Sequence, residues 1–251
     1  IEFSAGRIDH HSAQMAVALV AIAATMARRN SASALLAGLA TAFALSLGIE
    51  TIPYLVILAC FFAADFVRGL RLESVRAYSF TLAGAGLALF LLTTAPRFYF
   101  YTACDALTLN VLTAVAGGGI MLGAAAGWCQ DRETSRHQRL FLLCGIGVLA
   151  VAASLALEPR CLRGVIGPFD PAMRPLWFNQ IQEIASIFTI ALDQPQIVAN
   201  EVFLPGLALV VIATRGKRLI RRDDGQIMLA CFAAAILVMV FQIRGGFYAT
   251  M

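Results

Sequence analysis

Hydrophobic positions in this chain run on without interruption. Eight such runs cover roughly residues 13–27, 32–47, 52–67, 77–95, 108–128, 140–157, 197–214 and 227–243, separated by short charged or Pro/Gly-containing segments. A backbone that crosses lipid must satisfy its own hydrogen bonds, which leaves helices or closed barrels, and no run shows the polar/apolar alternation of barrel strands. The pattern predicts an all-α, polytopic transmembrane helical bundle of about eight spans. Four runs are 15 to 17 residues long, short of the roughly 20 that a full span requires. Their ends are therefore expected to extend into interfacial residues, or the bilayer to thin around them.

Composition agrees, with 60% hydrophobic residues, 14% charged residues and a mean hydropathy of +0.79, against about 25% charged in soluble domains. The basic residues then assign the sides. With the first loop outside, the inner loops hold Arg28 and Arg29; Arg68, Arg71 and Arg76; Arg132, Arg136 and Arg139; and Arg215, Lys217, Arg218, Arg221 and Arg222, which is 13 of the 19 basic residues. This asymmetry is the positive-inside bias, and the net charge of +4 expresses it. Nucleic acid is not an expected partner, because that requires a soluble basic face with base-reading or aromatic groups. The chain carries no internal repeat and no low-complexity stretch. It reads as a single transmembrane domain over 1–251, an internal fragment of a larger protein, with a long outer loop at 158–196.

Charge is nearly absent within the runs: Asp65 lies near the inner end of the third and Glu201 near the outer end of the seventh. Intramembrane charge marks ion and substrate paths, so its absence at mid-depth argues against a coupled transporter. The informative groups collect on the outer side instead: Asp9, His10, His11, Glu50, Asp105 and Glu183, with Arg7 and Arg244. Asp9 and His11, in GRIDHH, face the same way only if the segment before the first helix is extended. Ser12 is the expected N-cap for a helix starting at Ala13. A carboxylate with an imidazole suits Mn²⁺, Mg²⁺ or Zn²⁺; alternatively Asp9 caps the helix and the histidines sit at headgroup level.

Other residues carry structural expectations. Trp177, in PLWFNQ, is expected to be an interfacial anchor or part of an amphipathic re-entrant piece of the long outer loop. The small-residue stretch AVAGGGIMLGAAAG at 114–127 serves close helix packing, since a phosphate cradle needs a strand-to-helix context. Six scattered cysteines form no Cys-x-x-Cys pair, which disfavours structural zinc. Cys104 and Cys161 are the two in outer segments, and an oxidising compartment permits a disulfide between them.

GRIDHH resembles the second acidic motif of the GT-C class oligosaccharyltransferase catalytic subunits, in which an Asp and a His two residues later bind the catalytic divalent cation at the start of a membrane helix. Two further positions match in order. QIQE at 180–183 is similar to the family's Thr/Ser, aliphatic, any residue, Glu loop motif at Ile181 and Glu183. RGGFY at 244–248 is similar to its Arg-x-x-x-Tyr. All three fall outside in the topology assigned from basic residues.

The resemblance implies an integral-membrane glycosyltransferase that moves a sugar or glycan from a polyprenyl-(pyro)phosphate carrier to an acceptor at the extracytoplasmic face, in a bacterial inner membrane with the site on the periplasmic side. Asp9 and His11 would hold Mn²⁺ or Mg²⁺, which neutralises the leaving pyrophosphate. Arg244, with Tyr248, would bind the donor, its guanidinium pairing with the pyrophosphate. Asp9 and Glu183 would be the catalytic carboxylates, Glu183 touching the metal or the acceptor. Gln180 replaces the family's Thr/Ser, which widens the expected acceptor to protein, lipid or polysaccharide. The family's first acidic residue would lie before Ile1. Membrane lipids complete the expected partners. The competing function is a transporter or flippase of a lipid-linked or small substrate.

Overall fold

Each of the eight apolar runs becomes a helix in the structure, a computed structural model that describes residues 10–164 and 187–241. They are α1 (His10–Met26), α2 (Ser31–Leu47), α3 (Ile52–Arg68), α4 (Leu72–Thr93), α5 (Leu109–Gln130), α6 (Arg136–Leu157), α8 (Pro195–Ile220) and α9 (Asp223–Phe241). A short helix, α7 (Ile187–Asp193), precedes α8, and 3₁₀ turns lie at Ile49–Thr51, Pro96–Phe98 and Pro159–Arg163. Among the described residues there is no strand. Of the 158–196 segment, the described residues hold the 3₁₀ turn Pro159–Arg163, the helix Ile187–Asp193 and the start of α8.

Among the described residues, five segments are long and apolar enough to cross a membrane: Leu72–Thr93, Leu109–Gln130, Arg136–Leu157, Pro195–Thr214 and Asp223–Val240. They mark the chain as a membrane protein. Ser12–Met26 and Ser31–Leu47 are shorter apolar helices, and α3 has 17 residues, about 26 Å at the helical rise. Helix ends reach beyond the apolar runs where polar caps allow it. At α6, Ser135 Oγ accepts from Gln138 N at 3.2 Å while Gln138 Oε1 accepts from Ser135 N at 2.8 Å, a reciprocal capping box that starts the helix four residues before Leu140.

The chain divides into two compact units, Ile1–Pro168 and Phe169–Met251, described separately. In the first, α4 lies between α2 and α5, α1 packs on α2, and α6 packs on α5, while α3 touches α1, α4 and α6. Small residues set the tight contacts. A Cβ on Gly38 would stand 2.6 Å from Tyr78 O, and one on Gly119 would stand 2.8 Å from Ser79 O, so both neighbours of α4 press glycines against its backbone. Gly119 lies in the small-residue stretch expected to serve close packing. α3 fills space instead with Leu58, Phe62 and Phe66, all fully buried, and the Phe62 ring stacks on Tyr78 with centroids 4.0 Å apart. On α6 much of the surface is uncovered, with Phe141, Val148, Leu149 and Val151 exposed, as suits a helix that faces lipid.

One polar cluster closes the end of this unit where α3 turns into α4. α3 stops at Gly69, whose φ of 69° is left-handed; Gly69 N donates to Phe66 O at 3.0 Å and Leu70 N to Asp65 O at 2.8 Å. This is a Schellman ending, which needs the glycine. Two residues on, Arg71 also adopts a left-handed φ of 51°, a conformation that costs a non-glycine residue about 1 kcal/mol. Its guanidinium recovers that cost by donating to Asp65 Oδ1 at 2.7 Å and Oδ2 at 2.8 Å. From the end of α1, Arg28 Nε donates to the same Oδ2 at 2.8 Å, and Arg139 Nε, from α6, donates to Val67 O at 3.2 Å.

In the second unit α7, α8 and α9 touch one another. Ile227, Cys231, Ala235 and Met239 form one buried stripe along α9, at the four-residue spacing of a packed helix face.

Candidate functional site

The end of the first unit opposite the Asp65 cluster carries the features that sequence pointed to. α1 starts there, at His10. Ser12 is therefore the third helical residue and does not cap the helix, contrary to expectation. The polar residues before the apolar run continue the helix because intrahelical bonds satisfy their backbone as well as that of the apolar residues, and helix ends shift by a residue or two for the same reason. His11 is consequently the second residue of α1, where its backbone is helical, so the extended geometry that would align positions 9 and 11 is lost at 11. Asp9, Glu183, Arg244 and Tyr248 lie outside the described residues, as does Trp177. The structure neither gathers nor separates the predicted site residues.

What it adds is Glu50. Gln14, one turn into α1, is wholly buried, although an amide in an apolar helix is costly unless its hydrogen bonds are met. They are met when the amide is oriented with its nitrogen toward Glu50: Nε2 then donates to Glu50 Oε2 at 3.2 Å and Oε1 accepts from Gly48 N at 3.2 Å. A side chain on Gly48 would collide with this amide. Glu50 itself is half-buried, in the 3₁₀ turn Ile49–Thr51 between α2 and α3. The next residue, Thr51, is wholly buried, and its Oγ1 has no hydrogen-bond partner among the described residues. Asp105, the other carboxylate expected on the outer side, is exposed.

A second cluster at the same end ties two loops together. Cys104 and Cys161 are joined in a disulfide with Cα atoms 5.4 Å apart, the pairing expected from their common side. Around it, Asn110 Nδ2 donates to Ala103 O at 3.0 Å, and Thr102 Oγ1 donates to Glu158 Oε2 at 2.9 Å. Arg160 donates twice to Glu158, from Nε at 2.7 Å and Nη2 at 2.8 Å. These bonds, the Arg160 pair foremost, hold the Glu158 carboxyl down to a pKa of about 2. Sequence reasoning passed over Glu158 and Gln14. The signal that could have found the first is its place in Glu-Pro-Arg, and for the second its being an isolated amide in an alanine-rich run.

Among the described residues no three His, Cys, Asp or Glu side chains come together as a metal-binding group. At the other end, an open groove of about 420 Å³ lined by Ser31, Leu35, Glu73, Arg76, Ala77, Phe80 and Thr81 contains none of the predicted site residues. Comparison with known proteins finds no match to this chain among family models, curated proteins or solved structures.

Proposed function

We propose that this chain is the membrane region of a GT-C class glycosyltransferase, which transfers a sugar or glycan from a polyprenyl-(pyro)phosphate carrier to an acceptor on the extracytoplasmic side of a bacterial inner membrane. The observation that supports it most is the Cys104–Cys161 disulfide at the end of the first unit where α1 leaves GRIDHH. Disulfides persist in oxidising compartments, which argues for the same sidedness as the positive-inside bias. The topology read from the basic residues assigns that same side to GRIDHH, QIQE and RGGFY, the three segments that resemble the family's motifs. Eight spans, including the shorter α1, α2 and α3, complete this topology.

In this function Asp9 and His11 would hold Mn²⁺ or Mg²⁺, a cation that would neutralise the departing pyrophosphate, and this requires position 11 to be extended rather than helical when the cation binds. Arg244 and Tyr248 bind the donor, and Glu183 serves at the metal or the acceptor. The acceptor is protein, lipid or polysaccharide.

The test uses the full-length parent protein in membranes with a labelled polyprenyl-pyrophosphate glycan, assayed with Mn²⁺ and with EDTA. Transfer that needs Mn²⁺ and is lost in Asp9→Asn and in Glu183→Gln is expected. Label that crosses vesicles chemically unchanged, with no metal dependence, would instead establish a transporter or flippase.

A further inference from the structure

We propose that the groove between the starts of α2 and α4 binds a phospholipid with an ethanolamine headgroup, Arg76 taking the phosphate and Glu73 the ammonium. This goes beyond the transferase reading and does not depend on it, since it needs only that the chain lies in a membrane.

The groove changes polarity along its length as a phospholipid does. Both helices begin at this end, α2 at Ser31 and α4 at Leu72. Ser31, Glu73 and Arg76 line the mouth, and Leu35, Ala77 and Phe80 line it further in. From Arg76 to Phe80 is one helical turn, about 6 Å of rise, which matches the roughly 5–7 Å of headgroup region on each side of a bilayer. Deeper still the helices close on each other. A Cβ on Gly38 would stand 2.6 Å from Tyr78 O and 3.1 Å from Thr81 Cβ, and Thr81 lines the groove. The volume of about 420 Å³ falls within the roughly 300–1,000 Å³ of small-molecule sites, enough for a headgroup with the first part of its chains.

The charges at the mouth select the head. Glu73 and Arg76 stand three residues apart on α4, a spacing at which opposite charges commonly pair. Both are exposed, and neither makes a hydrogen bond or ion pair among the described residues, whereas Asp65, Glu158 and Asp224 each hold an arginine. The Arg76 stem rests on α5, where a Cβ at Gly127 would stand 3.5 Å from Arg76 Cδ, and this holds the cation apart from the carboxylate. A cation and an anion side by side but separate complement a phosphate and an ammonium on one head. The guanidinium takes phosphate oxygens through charge-assisted bonds, and a primary ammonium offers three N–H donors to the carboxylate. A glycerol head brings no cation to Glu73, so its phosphate would suit Arg76 and be repelled by Glu73. A choline head brings charge but no N–H.

The experiment measures lipid adducts on the full-length protein by native mass spectrometry, with phosphatidylethanolamine, phosphatidylglycerol and phosphatidylcholine of identical chains at equal concentration. It compares wild type with Glu73→Gln, Arg76→Gln and Leu35→Trp, with unfolding midpoints as the check on folding. In wild type the ethanolamine lipid should bind about fivefold more tightly than the other two, the effect of one exposed ion pair. Glu73→Gln should erase that preference, Arg76→Gln should weaken all three lipids, and Leu35→Trp should do the same by filling the groove without touching a charge. Equal binding of the three lipids to wild type, or a preference that survives Glu73→Gln, would overturn the headgroup assignment. Displacement of the lipid by glycerophosphoethanolamine, which has the head and no chains, would overturn the lipid in favour of a soluble phosphate ester. Should a variant unfold, the wild-type preference and this displacement decide without it.

Discussion

Arg28 Nε donates to Asp65 Oδ2 at 2.8 Å across 37 residues of chain, joining the end of α1 to the last turn of α3. Both side chains are nearly inaccessible, at 4% and 2%, and Arg71 completes the cluster from the far side of the turn. Two cations around one anion are tolerable in a low-dielectric setting only while the anion is present. Asp65→Asn should therefore destabilise the protein by about 3–5 kcal/mol, seen as a lower midpoint of thermal unfolding in detergent. The simultaneous replacement Arg28→Met, Asp65→Leu, Arg71→Met should recover most of that loss, because it removes the desolvation cost together with the attraction. A loss under about 1 kcal/mol in Asp65→Asn, a value typical of exposed pairs, would show that solvent reaches this cluster.

Helix spacing around α4 gives a second prediction, in which position within one small-residue stretch decides the outcome. A Cβ at Gly119 would meet the backbone oxygen of Ser79, whereas nothing lies within 4 Å of one at Gly117. Gly119→Val should cost about 1–3 kcal/mol as α4 and α5 are forced apart, and Gly117→Val should be close to neutral. Unfolding midpoints of the two variants in one detergent test the contrast, and equal midpoints would refute the close approach.

The Cys104–Cys161 bond closes a segment of 57 residues. For a free chain the entropic stabilisation from such a loop is about 4 kcal/mol. Here the segment contains α5 and α6, and a membrane keeps inserted helices helical. The unfolded state is thus already constrained, and the stabilisation should fall below that figure. Cys104→Ala is expected to lower the unfolding midpoint as reductant does in wild type, with no additional effect of reductant in the variant. Cys60→Ala and Cys144→Ala, at exposed positions, should leave the midpoint in place. A reductant-insensitive wild type would mean the pair is not bonded.

The helices were legible because lipid-facing runs declare themselves by length and continuity alone; all eight runs are helical. Their ends were less legible, since α4 begins at Leu72 and takes in Glu73 and Arg76, polar residues that a hydropathy pattern assigns to a loop. The disulfide followed from sidedness, a one-dimensional property. Gln14 with Glu50 and Arg28 with Asp65 did not follow, because each pairs residues 36 or 37 positions apart through the way α1 packs against α3 and its preceding turn. Amphipathic period carries no record of such contacts when every face of a helix is apolar. Of Asp9, His11, Glu183, Arg244 and Tyr248, the residues expected to form the site, His11 alone falls among the described residues, and its backbone there is helical rather than extended.

Glu158 makes the pH dependence of the disulfide-bonded end of the first unit predictable. Its carboxyl titrates at about 2 in the folded protein against an ordinary 4.5, chiefly because Arg160 and then Thr102 donate to its charged form. A depressed folded pKa means the unfolded state takes up the proton first as pH falls. The stabilisation from Glu158 is therefore complete above about pH 4.5 and is lost progressively between there and about pH 2. Glu158→Gln removes the titration, so its unfolding midpoint should lie below that of wild type at pH 6 and converge with it toward pH 2. Arg160→Met should behave alike through loss of the first donor, while Thr102→Val should retain most of the acid sensitivity. If the wild-type and Glu158→Gln curves stay parallel from pH 6 to pH 2, the carboxylate is not held by Arg160 in solution. The loops at this end would then be secured by the disulfide and the Asn110 contacts alone.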